Sequence, residues 1–109
     1  KKRLDMSFFV SEEIKDLVTE NNLIEKNYSI QIKNKKCHIN TVKNVKFYKN
    51  YAKATLNCTC NINPLSLLLE EPDVYLFQNS TQLNLGVSLL RFSKKKDSYL
   101  FTIKISFNN

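Results

Sequence analysis

Residues 37–62 read CHINTVKNVKFYKNYAKATLNCTCNI. The second half alternates without a break. Ala52, Ala54, Leu56, Cys58, Cys60 and Ile62 are small or apolar, and Lys53, Thr55, Asn57, Thr59 and Asn61 between them are polar. A period of two puts the first set on one face of a strand and the second set on the other. In the first half, Cys37, Ile39, Thr41, Val45 and Phe47 hold one face. A two-residue turn at Lys49-Asn50 pairs Tyr48 with Tyr51. It then sets Phe47 opposite Ala52, Val45 opposite Ala54, Ile39 opposite Cys60 and Cys37 opposite Ile62. The apolar partners share one face, and a one-residue slip would scatter them. Lys43 falls opposite Leu56, an exception that a bulge or an edge position absorbs.

Upstream, Tyr28, Ile30 and Ile32 alternate with Ser29 and Gln31 and end at the turn Lys33-Asn34-Lys35-Lys36. Before them, Ser11 caps a helix whose first turn carries Glu12 and Glu13, where the helix dipole favours acids. Ile14, Leu17, Val18 and Ile24 fall on one face, which predicts a helix over about 12–20, reaching 25 if it passes Asn21-Asn22. Glu12, Glu13, Asp16, Glu20 and Glu25 make its other face acidic. Downstream, Asn63-Pro64 is a cap followed by proline at the first helical position, and Pro72 closes the segment. A short helix over about 64–70, packed on the sheet through its leucines, follows. Strands are then expected at Val74–Phe77, Leu83–Leu89 and Tyr99–Phe107. A lysine-rich turn joins the last two and sets Leu89 against Phe101, Val87 against Ile103 and Leu85 against Ile105.

The reading is a single α+β domain over 1–109, a mostly antiparallel sheet of five to six strands with one N-terminal helix and one short middle helix. The order helix, three strands, helix, three strands makes 11–62 and 63–107 candidate halves of a duplication.

Charge is unevenly placed. Residues 1–25 carry four basic and six acidic side chains, residues 26–69 carry eight lysines and no acid, and residues 70–109 carry five basic and four acidic groups. The formal net charge is +7, and the middle stretch accounts for it. Lone Gly86 rules out the glycine-rich phosphate loops, which need several glycines. No apolar run reaches membrane-spanning length. No apolar leader follows Lys1-Lys2-Arg3 and the chain opens without methionine, so a processed or trimmed N-terminus is expected and the compartment is open. Three Asn-x-Ser/Thr sequons, at Asn27, Asn57 and Asn79, are no more than the asparagine content explains.

No residue pattern signals catalysis. His38, the single histidine, follows Cys37, but neighbours on a strand point to opposite faces, so the two do not form a nucleophile–base pair. Cys37, Cys58 and Cys60 share the apolar face, where no fourth zinc ligand stands. Cys58 and Cys60 are too far apart along a strand for a bridge, and in this register Cys37 and Cys60 are a diagonal, marginal pair. All three are therefore expected as unpaired core residues, which favours a reducing compartment. Glu12-Glu13 and Glu70-Glu71 have no histidine or metal ligand beside them. No enzyme, metal site or cofactor is expected.

The lysines carry the functional expectation. Lys46 and Lys53 become cross-strand neighbours on the polar face, a costly juxtaposition unless solvent or an anion lies over it. Lys33, Lys35, Lys36 and Lys49 extend the field along the turns, with Lys94–Lys96 as candidate additions. Asn44, Tyr48, Tyr51 and Asn57 stand ready to contact bases or polar groups. The function expected is a non-enzymatic binding or assembly module whose basic hairpin face meets nucleic acid or another anionic surface. The alternative is a protein-interaction or envelope-associated module that takes a protein, lipid or apolar ligand. Lysines that merely guard strand edges against aggregation are the bland account.

Overall fold

The structure, a computed structural model, describes residues 14–18 and 22–108. Among the described residues seven strands form one antiparallel sheet: β1 (Tyr28–Ile32), β2 (Lys35–Phe47), β3 (Tyr51–Thr59), β4 (Val74–Gln78), β5 (Thr81–Gln82), β6 (Leu85–Lys94) and β7 (Tyr99–Phe107). Their order is β5-β4-β1-β2-β3-β7-β6, and the sheet curls into a half-barrel. Two short helices, α1 (Asn22–Glu25) and α2 (Pro64–Leu69), accompany it, and residues 14–17 are also helical. The fold is thus the expected mostly antiparallel α+β sheet, with seven strands where five to six were expected. The additional strand is β5. Asn79 adopts a positive φ of 57° and so closes a two-residue turn that pairs Gln78 with Thr81. Strands from 63–107 lie on both sides of β1-β2-β3 rather than forming a sheet of their own.

Asparagine does the work usually given to glycine. Asn27, Asn34, Asn44 and Asn79, with Lys33, are the described non-glycine residues at positive φ. Asparagine tolerates the left-handed region because its short amide bonds locally. Lys33 and Asn34 together make a two-residue hairpin turn between Ile32 and Lys35, tighter than the four-residue turn expected.

The concave face holds the core. Ile30, Ile32, Ile39, Leu56, Phe101, Ile103 and Ile105 are buried there, and Ile14, Val18 and Leu23 pack into the same cluster. Each such side chain stabilises the fold by about 1.5–3 kcal/mol relative to exposure. Buried Tyr99 donates its hydroxyl to the Ile62 carbonyl at 2.5 Å, which ties the segment after β3 to β7. Burial pushes the Tyr99 phenol pKa up.

Two helical expectations need correction. Ile24 is 41% exposed and Leu23 is the buried residue of α1. The described helical residues 14–17 give way to a turn at Val18, and the Asn22 side-chain amide donates to the Asp16 and Leu17 carbonyls. The expectations at Ser11, Glu12, Glu13 and Glu20 lie outside the described residues. In α2 the cap is as expected, with Asn63 Oδ1 accepting from the Leu65 amide at 3.0 Å. Its leucines mostly do not pack on the sheet. Only Leu67 is buried, while Leu65, Leu68 and Leu69 are 64%, 70% and 84% exposed.

The β2–β3 register begins as expected, with Phe47 opposite Ala52 and Lys46 opposite Lys53. It then departs, because β2 carries one extra residue between Lys43 and Lys46 and another between Ile39 and Thr41. Asn44, at φ 55°, sits in the first of these bulges. Val42 therefore faces Leu56, Lys43 faces Thr55, and Ile39 faces Cys58 rather than Cys60. In β6–β7 a bulge between Leu89 and Arg91 likewise gives Leu89–Ile103, Val87–Ile105 and Leu85–Phe107.

The bulges also overturn the cysteine expectation. With His38 opposite Thr59, Cys37 stands opposite Cys60, and the two form a disulfide with Cα atoms 4.5 Å apart. The cysteines are not all unpaired, and the argument for a reducing compartment falls with that premise. Cys58 alone is free; it is buried, and burial pushes its thiol pKa up to about 12. The folded chain therefore keeps that proton while the unfolded chain loses it above an ordinary value of 9.0, so stability falls as pH rises through the window from 9.0 to about 12. The expected slope is about 1.4 kcal/mol per pH unit, measured as the difference between the native chain and Cys58→Ala in alkaline denaturation.

Candidate anionic-partner interface

The convex face of β2, β3, β7 and β6 is built in rows by the strand registers. Lys46 faces Lys53, Lys53 faces Lys104, and Lys104 faces Ser88. In the adjacent row Lys43 faces Thr55, Thr55 faces Thr102, and Thr102 faces Arg91. Cross-strand partners share a face with Cβ atoms about 5 Å apart, so the first row stacks three ammonium groups side by side. None of the seven strands carries an aspartate or glutamate. The repulsion is partly relieved by geometry: Lys104 Nζ lies 4.7 Å from the centre of the Tyr51 ring, drawn along the sheet away from Lys53. The Tyr51 ring stacks on Tyr48 at 4.7 Å, and the Tyr48 amide donates to the Tyr51 carbonyl at 2.8 Å, closing the turn at Lys49-Asn50. Arg91 Nε donates to Thr102 Oγ1 at 3.4 Å, which lays the guanidinium along the second row.

The residues singled out from sequence do not form one cluster. Lys46, Lys53, Lys49, Tyr48 and Tyr51 gather at the 49–50 end of the hairpin. Lys35 and Lys36 lie at the other end of β2, roughly 35 Å away at about 3.3 Å per residue. Lys33 is engaged within the fold: its ammonium pairs with Glu70 at 3.3 Å and donates to the Ser66 carbonyl at 3.2 Å, tying the β1–β2 turn to α2. Asn57 accepts from Asn40 at 2.9 Å and donates to Ser98 at 3.3 Å, so its amide is spent on internal bonds. Asn44 serves the bulge through its backbone. Lys94 turns back on its own loop, bonding the Lys95 and Lys96 carbonyls.

Three contributors escaped the sequence reading. Lys43 reaches the polar face because the bulges shift it off Leu56. Lys104 joins through β3–β7 pairing, which connects segments some fifty residues apart, and Arg91 through β6–β7 pairing. The parity of Lys104 within Tyr99–Phe107 marked it as outward, but only the strand order places it beside Lys53.

A second cleft, of about 300 Å³, opens where Ser29 faces His38 and His38 faces Thr59, with Asn27, Tyr28, Lys36 and Asn79 completing its walls. His38 is exposed and points away from buried Cys37, as expected. Among the described residues no three His, Cys, Asp or Glu side chains come together in a metal-binding group. No described helix is long and apolar enough to cross a membrane. Comparisons with protein-family models, curated proteins and solved structures give no match, so the reading of this chain rests on its own residues.

Proposed function

We propose that this chain is a non-enzymatic binding module whose convex β2-β3-β7-β6 face takes an anionic polymer, most naturally the phosphate backbone of a nucleic acid. The observation that supports it is the row Lys46–Lys53–Lys104, flanked by Lys43 and Arg91, on strands devoid of carboxylates. Like charges on directly opposed strand positions destabilise a sheet by up to about 1 kcal/mol per pair. A polyanion laid across the rows reverses that cost and gains counterion release. The contacts are to phosphate, so the binding is indifferent to sequence. The test is fluorescence anisotropy with a labelled single-stranded oligonucleotide. Lys46→Gln/Lys53→Gln/Lys104→Gln should weaken binding on the order of a hundredfold, three charged contacts of about 1 kcal/mol or more each. Equal binding by the native chain and the triple variant removes the proposal.

A protein-interaction reading is favoured by one observation, the exposed Leu65, Leu68 and Leu69 of α2 beside Glu70 and Glu71. On that reading Leu68→Ser/Leu69→Ser abolishes a self-association or partner complex visible by light scattering. If both chains are monomeric and share the same partners, the leucines are only surface.

A further inference from the structure

The cleft at the far end of β2 uses none of the residues of the basic rows, and its chemistry is one-sided. Ser29 is 7% exposed, and its hydroxyl meets no hydrogen-bond partner among the described residues. Buried hydroxyls are almost always bonded, and each exception asks for an occupant or a cost. Two of the acceptors nearby are already engaged. Asn79 Oδ1 accepts from Asn27 Nδ2 at 2.7 Å, which turns the Asn79 NH₂ outward as a donor. Thr59 Oγ1 accepts from Asn40 Nδ2 at 2.8 Å, which leaves its O–H to donate. Lys36 contributes an ammonium and His38 a ring N–H, and no carboxylate lines the cleft. The backbone fixes this arrangement: Asn27 and Asn79 both stand at positive φ, and the Asn79 amide donates to the Asn27 carbonyl at 3.1 Å, locking the two turns that frame the cleft. Donors from four separate chain segments line one cleft, which has ample room for a tetrahedral anion.

We propose that this cleft binds a phosphate-type oxyanion, held by Ser29, Thr59, Asn79, His38 and Lys36. Ser29 and Thr59 donate hydroxyl hydrogens to the anion, Asn79 donates an amide hydrogen and His38 a ring N–H, and the Lys36 ammonium balances charge. Charge-assisted hydrogen bonds of this kind are the stronger class. The site is independent of the nucleic-acid reading and stands or falls alone.

The test is a titration of the full chain with inorganic phosphate, against chloride at matched ionic strength, followed by amide and imidazole NMR signals. Saturable shifts at Ser29, His38 and Asn79 in phosphate but not chloride are expected. Ser29→Ala should melt no lower than the native chain, since its hydroxyl bonds nothing in the fold, yet bind phosphate about tenfold more weakly. Lys36→Gln, at an exposed position, should weaken phosphate to a similar degree, and it carries the test if Ser29→Ala fails to fold. Lys46→Gln/Lys53→Gln should leave these shifts unchanged. A 5′-phosphorylated trinucleotide that shifts His38 more tightly than its dephosphorylated form assigns the anion to a polymer end; equal behaviour of the two assigns it to free phosphate. Non-saturating shifts, the same response in chloride, or native affinity in both Ser29→Ala and Lys36→Gln would overturn the site.

Discussion

Reversing charge at the two flanks of the central row, Lys46→Glu with Lys104→Glu, is expected to abolish retention on heparin while raising the melting temperature. The two effects have opposite signs because they arise from the same geometry. Lys53 is hemmed between Lys46 and Lys104 with no carboxylate on any strand. Reversal turns three mutually repelling side chains into attracting neighbours, a gain of roughly 0.5–1 kcal/mol for partly exposed pairs. For a chain of this size about 1 kcal/mol moves the melting temperature by roughly 4–8 °C. A polyanion meets the reverse, since two favourable phosphate contacts become repulsive and the field over the whole face weakens. A row of lysines that merely guards exposed strands would show the stability gain without any loss of retention. Should retention survive the double reversal, the face is not the docking surface.

Reduction of the Cys37–Cys60 disulfide is the second large effect. The bond spans 23 residues of sequence, and closing a loop of that length restrains the unfolded chain by about 3 kcal/mol. It sits where β2 and β3 lose regular pairing, beyond the bulge at Asn40 and just before the segment that leads to α2. Cys37→Ala/Cys60→Ala is therefore expected to lower unfolding free energy by about 2–4 kcal/mol in urea titration. Thiol counting gives a sharper check. The native protein should react with no alkylating reagent at neutral pH, because Cys58 is buried and its thiol is held protonated. The unfolded, unreduced chain should expose one thiol and the reduced chain three. Three reactive thiols in the unreduced, unfolded chain would show that the bridge does not form.

What the letters conveyed depended on how local the cause was. The unbroken alternation of 52–60 made β3 readable, and the turn at 49–50 followed from the apolar partners it brings onto one face. Asn63-Pro64 marked α2 because capping is a matter of adjacent residues. The bulges of β2 were visible too, in hindsight of the physics: Ile39, Val42 and Val45 are spaced by three, and each departure from a period of two signals an extra residue. Taking Thr41 as an inward residue hid that spacing, although Thr41 is exposed. From this one misplacement came the diagonal pairing of Cys37 with Cys60, the unpaired cysteines and the compartment inferred from them. The basic face was half legible for a different reason. Hairpin partners such as Lys46 and Lys53 are set by a turn, whereas Lys104 and Arg91 arrive through β3–β7 and β6–β7 pairing fixed by the closure of the whole sheet. The leucines of α2 mark another boundary, since an apolar run tells that a segment is apolar, not which of its residues find a partner.

The proposal rests on phosphates meeting the two cationic rows, and the salt dependence of binding reads this directly. Plotted as log K against log salt concentration for a single-stranded oligonucleotide, the native chain should give a slope near −3 to −4, as about five contacts at roughly 0.7 each require. In Lys46→Gln/Lys53→Gln/Lys104→Gln the slope should shallow by about two. An identical slope in both proteins, or binding that ignores salt altogether, contradicts the account.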